Sequence, residues 1–149
     1  MAKKYKLGFD IGALLLFVAV MIPNFIWSAL PAPNDILRAE SVTKTIDAIA
    51  SVCQALMLAA LCFIQDRERK KLSVSPLLIA TGLCCLLYYI SWLAYYRGLA
   101  GAIVILGLSV PPCMAFILYA IDRKNWVAVI PALGFTIGHI IYAMVNFIA

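Results

Sequence analysis

Three sets of polar and aromatic side chains recur at helical spacing inside otherwise apolar stretches, and any chemistry of this chain would have to start there. Asp47, Ser51 and Gln54 stand at i, i+4 and i+7, so a helix would carry them on one face. Tyr88, Ser91, Trp92 and Tyr95 form a second stripe, and Thr136, His139, Tyr142 and Asn146 a third. A carboxylate, an amide, an imidazole and aromatic faces suit the binding of a small amphipathic or cationic molecule through charge and cation–π attraction. They do not suit hydrolysis. His139 is the only histidine, no Ser/His/Asp set stands at close spacing, and there is no HExxH pair. No cofactor is expected, since no lysine falls in the middle of an apolar segment and a lone histidine does not make a haem site. No metal site is expected either. The five cysteines, Cys53, Cys62, Cys84, Cys85 and Cys113, all lie in apolar segments without a CxxC pair, and read as small hydrophobes.

The elements that must position these residues follow from composition. With 65% hydrophobic residues, 13% charged and a mean hydropathy of +1.00, the 149-residue chain lies outside the soluble globular range. Five apolar segments of about 20 residues use up most of it. The expected fold is an all-α membrane protein, a single polytopic domain over 1–149, with spans at about 7–26, 45–64, 76–96, 99–121 and 126–148. The apolar run from Leu7 to Ile26 exceeds the 7–15 residues of a signal-peptide core and is taken as the first span. Within it Asp10 is expected one turn inside the helix, facing the positive end of the dipole and reaching Lys6. Trp27 reads as an interfacial anchor. The connection from Ser28 to Lys44 contains Pro31, Pro33 and Asn34, with Asn34 expected to cap a short surface helix over 35–40.

Two pairs, Gly8 with Gly12 and Gly134 with Gly138, are GxxxG spacings that would let another helix approach closely. Pro111 and Pro112 fall inside the fourth span, where they would free the carbonyls of Gly107 and Leu108 and kink the helix.

Charge gives the orientation. Lys and Arg number nine in the N-terminus, the Gln65–Ser75 connection and the Asp122–Asn125 turn, against three (Arg38, Lys44 and Arg97) on the opposite side. That bias places the N-terminus in the cytoplasm and the C-terminus outside, in a cell membrane. The net charge of +5 is thereby assigned to lipid headgroups and not to nucleic acid. All three polar stripes then descend from the outer surface. A charged group at bilayer depth costs about 3 kcal/mol on insertion scales, so such groups turn inward. One outward-opening cavity is expected, with Asp47, Gln54, Trp92, Tyr95, His139 and Asn146 among its walls. The alternative is a structural or accessory subunit without a ligand. Expected partners are the bilayer, a small molecule, and a second copy or another membrane protein against the glycine faces.

Overall fold

The computed structural model describes residues 4–148. A short strand, β1 (Tyr5–Leu7), precedes α1 (Ile11–Ala29); α2 (Lys44–Phe63) leads straight into β2 (Ile64–Asp66); α3 (Pro76–Tyr96), α4 (Ala102–Asp122) and α5 (Trp126–Ala143) follow, and α5 widens into a π-type turn over Met144–Ile148. Among the described residues, five helices are long and apolar enough to cross a membrane. The chain is thus consistent with a multi-pass α-helical membrane protein. Its surface agrees with lipid as solvent: Leu15, Phe25, Leu56, Leu83, Ile130 and Ile137 are among many large apolar side chains left exposed, an arrangement water would not tolerate.

Consecutive helices alternate in direction, so one end of the bundle carries the β1–β2 ribbon and the other carries the Leu30–Thr43 connection. These are the ribbon end and the loop end below. The helix α3 packs chiefly on α4, α4 on α5 and α5 on α2, while α1 lies more thinly against α2, α3 and α4. In α4, 50% of the span is buried, against 17% in α1 and in α3, which makes α4 the central helix; its thin packing against the others makes α1 the outlying one.

The ribbon corrects the expected first span. Tyr5, Lys6 and Leu7 pair antiparallel with Asp66, Gln65 and Ile64, so helix begins at Ile11 and not at Leu7. The physical reason lies in α2. The last carbonyls of a helix have no intrahelical donor, and here the incoming chain supplies them: Gly8 N–H donates to Phe63 O at 2.9 Å and Asp10 N–H to Cys62 O at 2.8 Å. The Asn125 side-chain amide donates to both Ala60 O and Ile64 O at 2.9 Å while its oxygen caps α5 at Ala128 N–H. Similar capping starts α3, where Ser75 Oγ accepts from Leu78 N–H and Pro76 occupies the first turn. That helix closes through Gly98, whose φ of +91° favours glycine. The fourth helix starts at Ala102, three residues later than expected.

Close helix approach is built differently at the two glycine pairs. A Cβ on Gly134 would lie 2.8 Å from Cys53 Sγ and one on Gly138 2.7 Å from Ala50 Cβ, so both seat α5 directly on α2. Gly8 precedes α1 and lies under the Gln65 side chain, while a Cβ on Gly12 would lie 2.4 Å from the Tyr119 hydroxyl; this pair forms no common helix face. The helix α4 continues through Pro111 and Pro112. One turn earlier, a Cβ on Gly107 would collide with the Ser91 side chain of α3.

Pro23 within α1 shows how a broken helical hydrogen bond is repaired by a neighbouring helix. It leaves the Ala19 carbonyl without its donor, and the Tyr89 hydroxyl from α3 donates to that oxygen. One residue on, Val20 O accepts from Tyr88 Oη at 3.0 Å and from the Asn24 amide at 3.1 Å. Three tyrosines of α3 hold α1 in this way, since Tyr96 Oη also donates to Leu30 O at 2.6 Å.

Candidate functional site

A cavity of about 490 Å³ occupies the loop-end half of the bundle, with walls from all five helices. Asp47 and Gln54 come to it from α2, Trp92 and Tyr88 from α3, and His139 and Tyr142 from α5. The helical spacings that set these residues on common faces account for their convergence. One wall is an aromatic cluster: Trp92 meets Tyr88 and Tyr95 edge-on, with ring centroids 6.4 and 5.7 Å apart, and lies 6.3 Å from Trp27. The facing wall is a stack in which His139 sits between Phe135 at 5.3 Å and Tyr142 at 6.0 Å. Trp92 is 6% exposed and its indole N–H meets no hydrogen-bond acceptor among the described residues; the Tyr88 hydroxyl accepts from Asn24 and donates to Val20 O.

Asp47 sits in the first turn of α2. Its carboxylate accepts from Thr43 Oγ1 at 2.9 Å and from Ser41 Oγ. Among the described residues no lysine or arginine pairs with it, and none lines the cavity. The space therefore holds a carboxylate neutralised by no cation, together with aromatic faces.

Two expected wall residues are placed elsewhere. Tyr95 is fully buried beside the cavity, its hydroxyl donating to Asp35 Oδ1 at 2.8 Å and accepting from Leu37 N–H at 3.1 Å. Asn146 staples the end of α5 to the start of α2: its oxygen accepts from Val42 N–H at 2.8 Å, and its amide donates to Thr43 Oγ1 and Tyr142 O at 2.9 Å. Both are engaged by the Leu30–Thr43 connection, whose path no helical periodicity reveals.

Compared with known protein families, curated proteins and solved structures, the chain has no match. Its cavity has to be interpreted from its own residues.

The connection over the loop end is organised by Asp35. In place of the expected helix over 35–40 there is a single 3-10 turn, Ile36–Arg38, and the Asp35 carboxylate is the hub. It accepts from Trp27 Nε1 at 2.9 Å, Tyr95 Oη at 2.8 Å, Arg38 Nε at 2.7 Å and Ala32 N–H at 3.2 Å. Arg38 also lies over the Trp27 ring, 4.6 Å from its centroid. Burial alone would raise the Asp35 carboxyl, yet these four donors outweigh it and hold the group below its ordinary value of 3.8. A depressed carboxyl contributes stability above its unfolded-state value and loses it as pH falls through the folded-state value. The loop cover is therefore expected to stay closed at neutral pH and to loosen below about pH 3.8. Protection of the Leu37 amide, its exchange rate taken against the intrinsic rate at the same pH, should fall there in the wild type, and should already be low at pH 7 in Asp35→Asn.

A second polar cluster, at the ribbon end, joins three distant segments. Asp10 is the N-cap of α1: Oδ1 accepts from Ala13 N–H at 3.2 Å and from Tyr119 Oη at 2.8 Å, and Oδ2 accepts from Arg69 Nη1 at 2.9 Å. Arg123 Nε is 3.7 Å from the same Oδ2. Asp10 thus pairs with Arg69 and Arg123, where the sequence suggested Lys6 and a place inside the helix. The signal that could have found this is the charge count itself, which puts Asp10 at the same end as the Gln65–Lys71 and Asp122–Asn125 cations. Among the described residues no group of His, Cys, Asp or Glu could hold a metal ion.

Proposed function

We propose that this chain is a multi-pass protein of the cell membrane that binds a small amphipathic cation in its loop-end cavity. The observation that carries the proposal is the unpaired Asp47 carboxylate in a cavity lined by aromatic rings and by no lysine or arginine. A volume of about 490 Å³ lies within the usual range for small-molecule sites, roughly 300–1,000 Å³. An anion would meet repulsion from Asp47 and no compensating cation. A lipophilic cation would meet the carboxylate on one side and the negative faces of Trp92, Tyr88 and Tyr142 on the others. The test is equilibrium binding of tetraphenylphosphonium to the purified protein in detergent, with uncharged triphenylphosphine oxide as comparator. Saturable one-to-one binding of the cation alone supports the proposal, and equal binding of both compounds refutes the role of charge.

The orientation belongs to the same proposal. Nine against three Lys and Arg favour a cytoplasmic ribbon end, which turns the cavity toward the outside. An alkaline phosphatase fused after Ala149 should then be active and a green fluorescent protein fused there dark. The opposite pair of results would reverse the topology.

A further inference from the structure

A hollow of about 300 Å³ at the ribbon end lies apart from the cavity and has a different chemistry. Arg69, Lys70, Lys71 and Arg123 line it, with Asp10 as the only carboxylate. Asp10 is already saturated by Tyr119, Ala13 N–H and Arg69, so the hollow keeps a strong positive excess.

Two kinds of donor there lack acceptors. The Arg123 side chain is 7% exposed, and although Nη1 donates to Lys70 O at 3.0 Å, its Nε has no hydrogen-bond partner among the described residues and stands 3.7 Å from Asp10 Oδ2. A buried guanidinium N–H left without an acceptor costs free energy that an incoming oxygen would recover. The first turn of α1 also lines the hollow, at Ile11 and Gly12. Their amides precede the intrahelical ladder and, among the described residues, meet no acceptor. Free amides at the positive end of a 19-residue helix, beside four cations, are suited to a phosphate oxygen.

The rim separates a lipid from a free anion. Phe9, Ile11 and Leu72, 52%, 58% and 49% exposed, border the cations directly. Inorganic phosphate would gain nothing from them, whereas a phospholipid would lay its acyl chains on them while its headgroup entered the hollow. We infer that this hollow is a binding site for the phosphodiester headgroup of an anionic phospholipid. The inference rests on the membrane-spanning reading of the chain and is independent of what the cavity binds.

The test uses the full-length protein, purified in dodecyl maltoside and stripped of lipid, with native mass spectrometry following added dioleoyl-phosphatidylglycerol or dioleoyl-phosphatidylcholine. The expected result is saturable binding of phosphatidylglycerol at least about tenfold tighter than phosphatidylcholine, unaffected by millimolar inorganic phosphate. The double substitution Lys70→Gln, Lys71→Gln removes two exposed cations that support no buried contact, and should weaken phosphatidylglycerol binding roughly 25-fold. The unfolding midpoint of that variant without lipid should match the wild type. Equal retention of both lipids, or unaltered binding in the double variant, would overturn the inference. Displacement of the lipid by inorganic phosphate would assign the hollow to a free anion and overturn the lipid assignment.

Discussion

Replacing Asp10 by alanine is expected to destabilise the protein by about 3–5 kcal/mol, the typical cost of removing one partner from a buried ion pair. The Asp10 side chain is 8% exposed and that of Arg123 7%, so the substitution leaves a largely buried guanidinium without its counter-charge. It also removes the cap on Ala13 N–H and the acceptor for Tyr119 Oη. These losses fall together on the junction of α1, α4 and the Arg69 segment, and α1 has the thinnest packing in the bundle. In thermal unfolding of the detergent-solubilised protein the midpoint should drop on the order of 10 °C. Tyr119→Phe removes a single hydrogen bond and should cost only about 1 kcal/mol. A drop below about 1 kcal/mol for Asp10→Ala would mean that the cluster does not hold α1 in place.

The second large effect is on binding. Asp47→Asn preserves the size of the side chain while removing the charge; its single amide oxygen can still accept from Thr43 or Ser41, and the other hydroxyl must turn to accept from the amide N–H. A unit charge pair about 6 Å apart at an effective dielectric near 20 is worth roughly 3 kcal/mol. Part of that is offset by the solvation each charge gives up, so the expected loss of tetraphenylphosphonium affinity is about tenfold to a hundredfold. Trp92→Leu should weaken binding less, by the roughly 1–2 kcal/mol of a desolvated cation–π contact. Asn146→Ala serves as the contrast: its side chain staples α5 to the Val42–Thr43 segment and should lower stability more than intrinsic affinity. If Asp47→Asn and wild type bind the cation equally, the carboxylate is only a helix-terminal group satisfied by hydroxyls.

The five helices were legible because an apolar run of about 20 residues has few other outcomes. The boundaries of the second, third and fifth spans fell within a residue or two of α2, α3 and α5 with its π-type extension. The placement of Asp47, Gln54, Trp92 and His139 was legible too, since helical spacing fixes the direction in which a side chain leaves its helix. Three things were not. The ribbon joins two three-residue strands whose sequences, Tyr-Lys-Leu and Ile-Gln-Asp, are too short to show any alternation. Tyr95 and Asn146 point toward the bundle, as their spacing requires, but the Leu30–Thr43 connection takes up their hydrogen bonds first. Asp10 finds partners 59 and 113 residues away, and local rules of helix capping and i, i+4 pairing name only neighbours.

We propose that the loop-end cavity holds a lipophilic cation against Asp47. The most direct measurement is an anomalous diffraction map of crystals grown with tetraphenylarsonium, in which the arsenic atom marks the ligand without reference to protein density. One strong peak is expected inside the cavity, between Asp47 on α2, Trp92 on α3 and His139 on α5, and a weaker one in Asp47→Asn. A peak confined to the apolar outer surface, or a cavity that stays without arsenic while the wild-type protein is saturated in solution, would contradict it.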